Sequence, residues 1–107
     1  MTITKKWCRG KGLKYQKTIM AKIPQAYMTL RDGDIGSFHP FWSKVNIECK
    51  HVERLNVWQA ISQSMKDMHS KGKDAWCVVF TRNREGRDYV LLDLDMLLEL
   101  VEEAREL

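Results

Sequence analysis

The sequence predicts one layered domain of the α/β (α+β) class, in which helices flank a single sheet. First, a chain of 107 residues has the length of one typical domain, so residues 1–107 are expected to form one unit. Second, apolar side chains recur at helical spacing in some stretches and at strand spacing in others. Third, no apolar run approaches the roughly 18 residues that a membrane helix needs. The predicted order is a helix, three strands, a helix, two strands and a helix.

The first helix and the first strand are predicted from a short periodic segment. Tyr15, Ile19 and Ile23 recur every fourth residue, which places them on one helix face. Pro24 is expected to end the helix, because the residue before a proline avoids the helical region. Ala26 to Leu30 is predicted to form a short strand, and a turn is expected after it.

The centre of the chain carries the clearest secondary-structure signals. Residues 45–50 alternate between apolar and polar side chains, which predicts a strand with one apolar and one polar face. Asn56 is a natural N-cap for the helix that follows. The apolar stripe of that helix consists of Val57, Ala60, Ile61, Ser64, Met65 and Met68.

The last third of the chain predicts two strands and a helix. Ala75 to Thr81 is nearly all apolar, which favours a strand buried on both faces. Asn83 to Gly86 is expected to turn, and Asp88 to Leu94 to form the last strand. Asp95 can then cap a final helix. The inner side of that helix is expected to carry Leu97, Leu100, Val101 and Ala104.

The charge of the chain is unevenly distributed. The first 54 residues carry a net charge of +7, and the remaining 53 carry −3. A basic half on a small domain is typical of proteins that bind a polyanion, although a solvated basic face would give the same composition. An acidic membrane surface is a weaker alternative, because the basic segment lacks a broad apolar face. No apolar segment follows the basic N-terminal residues, so no secretory signal is expected.

The three cysteines, Cys8, Cys49 and Cys77, point to no metal or disulfide framework. Their number is odd, and no two of them have the close spacing of a zinc half-site. The histidines add no metal-ligand spacing either. A reducing, intracellular compartment is therefore expected.

The tripeptide Glu48–Cys49–Lys50 carries the most chemistry in the sequence. In a strand, Glu48 and Lys50 project from the same face about 6.6 Å apart. A second carboxylate next to Glu48, such as that of Asp34, would create a hard oxygen site suited to Mg²⁺. A lysine beside it can orient a water or stabilise charge on a phosphate. A surface Glu–Lys pair on a strand would show the same tripeptide.

Longer stretches of sequence resemble a known nuclease family. The segments GDI, VNIECKHVERLNVWQA and AWCVVFTRNREGRDYVLLDLDMLLEL are similar to those of phage-type Holliday junction resolvases in the PD-(D/E)xK superfamily. The resemblance covers roughly Lys11 to Leu100. It implies a restriction-endonuclease-like mixed sheet flanked by helices and a Mg²⁺-dependent endonuclease, with Mn²⁺ as a substitute. It also implies a homodimer that cuts branched, four-way-junction DNA in the cytoplasm of a host cell, with no membrane or small-molecule substrate.

The resemblance also implies a role for each matching residue. Asp34 and Glu48 would be metal-binding carboxylates, the main-chain carbonyl of Cys49 a third ligand, and Lys50 the catalytic lysine. Gln59 matches a glutamine that supports the lysine or the scissile phosphate. Its spacing from Asn56 also fits a capping box, so both roles are open.

The chain departs from the family pattern at one position. Many cellular and archaeal resolvases have a metal-binding glutamate in the first helix, but here no acidic residue precedes Asp32. That ligand is therefore absent or supplied differently. Asp32 is also a rival to Asp34 for the first carboxylate, and the Gly–Asp–Ile context favours Asp34. The thiol of Cys49 is expected to face the core, opposite Glu48.

Six residues are predicted to contact DNA through its phosphates, and three aromatic residues are candidates for a contact surface. The predicted DNA-binding residues are Lys11, Lys14, Lys17, Lys44, His51 and Arg54. Phe38, Phe41 and Trp42 could stack on DNA, pack in the core or form part of a dimer interface. Two other functions stay open: a non-catalytic nucleic-acid-binding module, and a nicking or restriction-type nuclease.

Overall fold

A five-stranded mixed sheet forms the centre of the molecule. The computed structural model describes residues 12–29 and 34–106. The strands lie in the order β1-β2-β3-β4-β5, with β3 and β4 parallel and the other neighbours antiparallel. The helices are α1 (12–20), α2 (Val57–Ser70) and α3 (Leu94–Glu106). The strands are β1 (Ala26–Met28), β2 (Asp34–Ser37), β3 (Val45–His51), β4 (Ala75–Thr81) and β5 (Tyr89–Leu91), and a 3₁₀ helix (Trp42–Lys44) precedes β3. The predicted α+β class is confirmed.

Helices cover both faces of the sheet. Tyr15 and Ile19 of α1 join the larger core cluster with Ile35, Ile47 and Cys77. On the opposite face, Ala60 of α2 packs against Trp76 and Val78 of β4. Because side chains alternate along a strand, the even-numbered residues of β3 face α2 and the odd-numbered residues face α1.

The prediction of α2 and β4 as elements is confirmed, although Val57 and Met65 of the predicted α2 stripe are exposed. Helix α2 begins directly after Asn56, whose side-chain oxygen accepts a hydrogen bond of 3.1 Å from the main-chain N–H of Gln59. Strand β4 has the predicted bounds, and its centre is fully buried. Helix α2 is thus the crossover that the parallel pair β3–β4 requires.

The bounds of α1, β1 and β5 differ from the predicted ones. Helix α1 ends at residue 20 and does not include Ile23, because the N–H groups of Lys22 and Ile23 bond to carbonyls only three residues back. The last strand was expected over Asp88 to Leu94, but β5 has three residues and lies at the sheet edge, where only one neighbour holds it. The first strand ends at Met28. Leu30 lies outside the described residues.

The predicted cap of the last helix is wrong, and its predicted inner face is right only at Leu100. Asp93, not Asp95, accepts a 2.8 Å hydrogen bond from the N–H of Met96, so the helix begins two residues earlier than expected. Met96 is buried in the core of the α1 face, and Leu100 packs against that core. The exposed apolar stripe of α3 is instead formed by Leu94, Leu97, Leu98 and Val101. Ala104 is also exposed.

No helix within residues 12–29 and 34–106 is both long enough and apolar enough to cross a membrane.

Candidate metal centre

The pairing of β2 with β3 brings two carboxylates together on the face that α2 covers. Asp34 is the direct partner of Glu48 in the antiparallel register. Each of the two residues is only 2% exposed. Directly opposed residues of an antiparallel pair have neighbouring side chains on one face. The expected approach of Asp34 to Glu48 is therefore present.

A third carboxylate comes from α2. One oxygen from each of Asp34, Glu48 and Asp67 lies within 4.8 Å of the other two. Asp67 was not among the predicted site residues, because a single aspartate on an amphipathic helix is usually solvated. Its spacing was the available signal: it lies seven residues after Ala60 and three after Ser64, the two buried residues of α2.

Two oxygen atoms of this cluster have no hydrogen-bond partner among the described residues. They are Oδ1 of Asp34 and Oε2 of Glu48, and both are buried. A buried polar atom without a partner is costly, so these oxygens are suited to a ligand that accepts their lone pairs. Three carboxylates, two of which have such oxygens, fit a hard divalent cation such as Mg²⁺.

Electrostatics in the cluster work against ionisation of Glu48. Burial raises the pKa of the Glu48 carboxyl group, and the negative charges of Asp34 and Asp67 raise it further. The ammonium groups of Lys50 and Lys71 act in the opposite direction. A bound cation would stabilise the ionised form in the same way, with a larger charge.

Lys71, the residue directly after α2, contacts the carboxylate cluster. Its Nζ donates to Oδ2 of Asp34 in a largely buried ion pair. The same Nζ donates to Oδ1 of Asn46 at 3.1 Å, and Asn46 in turn donates to the hydroxyl of Ser64 at 3.2 Å. These contacts connect the end of α2 to β2 and β3 at the site.

Helix α1 holds the backbone of Asp34. The side-chain amide of Gln16, which is buried, donates to the main-chain oxygen of Asp34. The hydroxyl of Thr29 donates to the same oxygen at 3.1 Å. The first helix therefore supplies an amide that positions β2, and not a carboxylate.

Lys50, the predicted catalytic lysine, is bonded to Gln63, which lies one helical turn after the predicted partner Gln59. Nζ of Lys50 donates to Oε1 of Gln63 at 3.1 Å. Gln59 lies one turn earlier on α2, and its own N–H is capped by Asn56. Lys50, Gln59 and Gln63 line a cleft of about 210 Å³ together with Arg54. This cleft adjoins the carboxylates through Lys50 and carries two positive charges.

The thiol of Cys49 faces the core, as expected. Cys49 is 6% exposed and belongs to the cluster on the α1 face. Burial raises the pKa of this thiol to about 12, so it stays protonated at neutral pH and is a poor nucleophile.

The predicted DNA-contacting residues that the structure describes lie on several elements. Lys14 and Lys17 are exposed on α1, and Lys44 is exposed at the end of the 3₁₀ helix before β3. His51 lies on the α1 face, where its ring centroid is 5.5 Å from that of Tyr15, so its side chain points away from the face that carries Lys50. Lys11 and Asp32 lie outside the described residues.

The three aromatic residues before β3 have different environments. Phe38 is 74% exposed and its ring lies 4.5 Å from that of Tyr27. Phe41 and Trp42 are half-buried and pack against the core of the α1 face. Of the three alternatives open for these residues, packing in the core is the one that applies to Phe41 and Trp42.

Comparisons of the chain with protein-family models, curated proteins and solved structures found no match.

Proposed function

We propose that this protein is a Mg²⁺-dependent, structure-selective DNA endonuclease of the Holliday junction resolvase type, built on a PD-(D/E)xK scaffold. The observation that supports it most is the opposed pair Asp34 and Glu48, which is buried and has two unpartnered oxygens. Lys50 follows on the same strand face, where a phosphate next to a cation would meet its ammonium group. The sequence resemblance names the same three residues.

Each residue then has a defined task in hydrolysis. Asp34 and Glu48 would hold the cation, which would supply Lewis-acid activation of the phosphate and of the attacking water. Lys50 stabilises the negative charge that develops on the phosphate. Gln63 fixes the direction of the Lys50 ammonium. The water oxygen bonds to phosphorus, the bond from phosphorus to the 3′ oxygen breaks, and that oxygen takes up the proton that the water loses.

The positive charge near the site suits a nucleic-acid backbone. Arg54 and Lys50 line one cleft, which can receive a phosphate beside the scissile one. Such contacts position a DNA strand without reading its bases, which suits recognition of a branched shape. A junction has two equivalent strands to cut, so two linked sites in a two-fold homodimer are part of the proposal.

A non-catalytic nucleic-acid-binding module is the second candidate. The observation that favours it is the ion pair between Lys71 and Asp34, which offsets part of the negative charge without any cation. In that case the carboxylates would stabilise the fold, and the protein would bind junctions without cutting them.

Cleavage of a labelled four-way junction, with Mg²⁺ and with a chelator, tests the proposal. A linear duplex of the same sequence serves as the second substrate. We expect Mg²⁺-dependent cuts in the junction only, and loss of these cuts in Lys50→Met. Lys66→Met, an exposed lysine of α2, is the matched control. Binding without cleavage would favour the second candidate, and equal cleavage of both substrates would indicate a nicking or restriction-type enzyme.

A further inference from the structure

We propose that Asp67 is the third carboxylate ligand of the cation and that Lys71 is an internal counter-cation, which a divalent ion displaces from Asp34. This inference rests on the proposed function, because it concerns the same metal centre. It assigns a metal-binding role to α2 and a competitive role to the residue that follows it.

The position of Asp67 supports its assignment as the third carboxylate ligand. Its carboxylate belongs to the group whose oxygens lie within 4.8 Å of one another, although it is less buried than Asp34 and Glu48. The other two members contribute unpartnered buried oxygens, which point to a missing ligand in the cluster. No acidic residue exists on α1 to complete the site from the other side. Helix α2 therefore supplies the third carboxylate.

The ion pair between Lys71 and Asp34 supports the role of Lys71 as an internal counter-cation. The side chain of Asp34 is 3% exposed and that of Lys71 is 20% exposed, so the pair is shielded from most of the solvent. A divalent ion about 2.1 Å from a carboxylate oxygen would stand next to the ammonium group, and the two positive charges would repel. The cation and the ammonium of Lys71 therefore compete for Asp34.

Lys71 has a route out of the site. Its side chain reaches solvent, because a fifth of it is exposed. Oδ1 of Asn46, 3.1 Å from Nζ, is a neutral acceptor that can hold the ammonium when Asp34 binds the cation. The end of α2 thus keeps a link to β3 in both states.

Binding of Mn²⁺ alone, measured by calorimetry or electron paramagnetic resonance, tests the proposal without any nuclease assay. We expect Lys71→Met to bind Mn²⁺ on the order of tenfold more tightly than the wild type, since a repelling charge is removed. Asp67→Asn should bind it on the order of tenfold more weakly, as expected when a residue that supports a metal site is lost. Lys66→Met, on the solvent side of the same helix, should bind Mn²⁺ like the wild type.

Thermal unfolding with and without Mn²⁺ provides the second measurement. Lys71→Met should unfold at a lower temperature than the wild type in chelator, because Asp34 loses its partner, and should gain more from Mn²⁺. If Lys71→Met does not fold, Lys71→Gln keeps a hydrogen-bond donor without the charge and should show the same tighter binding.

The outcomes separate this inference from the proposed function. Equal Mn²⁺ affinity of Lys71→Gln and the wild type would overturn the competitive role, and unchanged affinity of Asp67→Asn would overturn its role as a ligand. In both cases the proposed function would stand, provided that Glu48→Gln loses Mn²⁺. A wild-type protein that binds no Mn²⁺ would overturn the metal centre itself.

Discussion

The ammonium group of Lys50 donates a 3.1 Å hydrogen bond to Oε1 of Gln63, which lies one helical turn beyond Gln59 on α2. Both glutamines line the same cleft. The direct bond identifies Gln63 as the residue that positions the lysine, although Gln59 was the residue predicted by resemblance.

Replacement of Gln63 should therefore affect cleavage more than replacement of Gln59. We expect Gln63→Leu to lower kcat on the junction by about tenfold with little change in KM, because the lysine acts mainly on the transition state. Gln59→Leu, which removes no bond to Lys50, should have a smaller effect. Single-turnover cleavage of labelled junctions measures both, and the reverse order of the two effects would return the supporting role to Gln59.

Loss of a carboxylate should separate binding from cleavage. Glu48→Gln removes a cation ligand but none of the exposed lysines, so the variant should bind a four-way junction like the wild type. Its cleavage rate should fall at least about a hundredfold, since a metal ion contributes several kcal/mol to the transition state. Gel-shift titration and a cleavage assay on the same preparations check this. Glu99→Gln, an exposed residue of α3, is the matched control.

The stability of the cation-free protein should depend on the ionisation of Glu48. Burial raises the pKa of this carboxyl group above its ordinary value of 4.5, so the folded state binds a proton more tightly than the unfolded state. This contribution is fully present below pH 4.5 and is lost as pH rises through the raised pKa. The wild type should therefore lose stability relative to Glu48→Gln across that window.

Urea unfolding in chelator at several pH values measures this difference. The comparison of the two proteins at each pH cancels the contributions of other carboxyl groups, such as Glu85, whose pKa is lowered by hydrogen bonds from Tyr89 and Arg82. Parallel curves for the wild type and Glu48→Gln would contradict the predicted linkage. Glu99→Gln should follow the wild type at every pH.

A close approach in the sheet next to the carboxylates gives a test of the packing. Gly36 is the strand partner of Tyr27 and lies two residues after Asp34. A Cβ at Gly36 would come within 2.3 Å of the ring of Tyr27, so Gly36→Ala must displace that ring from its stack with Phe38. We expect a loss of about 1–3 kcal/mol in the free energy of unfolding. In a Tyr27→Ala background the same substitution should cost much less, and additive effects would contradict the steric explanation.

The sequence predicted the structure best in segments where a single feature, such as a strong apolar pattern, determines the element. Helix α2 and strand β4 could be predicted because strong apolar patterns fixed their period and length. Glu48 could be nominated because it lies on the polar face of an alternating strand, and Asp34 because of its Gly–Asp–Ile context. Asp67 and Lys71 could not, because charged residues on a helix are usually solvated, and only the tertiary position of α2 brings them to Asp34.

The errors in the sequence-based predictions have a similar origin. Strand β5 has one neighbour and α3 leaves an apolar stripe exposed, so apolar periodicity alone indicates neither the length of the strand nor the inner face of the helix. The capping residue, Asp93, lies two positions before the predicted Asp95. Phe41 and Trp42 precede a strand in a segment without periodicity, so the sequence left their packing in the core as one alternative among three. His51 is the last residue of β3, and the alternation of side chains along the strand places it on the face opposite Lys50.

The proposed homodimer should not depend on Phe41 and Trp42. Both side chains pack against the core, so Phe41→Ser with Trp42→Ser should lower the free energy of unfolding by several kcal/mol, the usual cost of truncating buried aromatic residues. If this double variant no longer dimerises, the cause would be unfolding and not the loss of an interface. Circular dichroism under the conditions of the assembly measurement distinguishes the two effects.

The exposed apolar stripe of α3 is the better place to test assembly. Leu98 is 56% exposed and Val101 is 51% exposed, and the two face solvent on one side of the helix. Charged residues there should cost the monomer little, but they would disrupt a two-fold contact that buries this stripe. Light scattering at micromolar concentration should show a dimer for the wild type and a folded monomer for Leu98→Glu with Val101→Glu. A variant that still dimerises would exclude α3 from the interface, and a monomeric wild type, with and without junction DNA, would contradict the dimer.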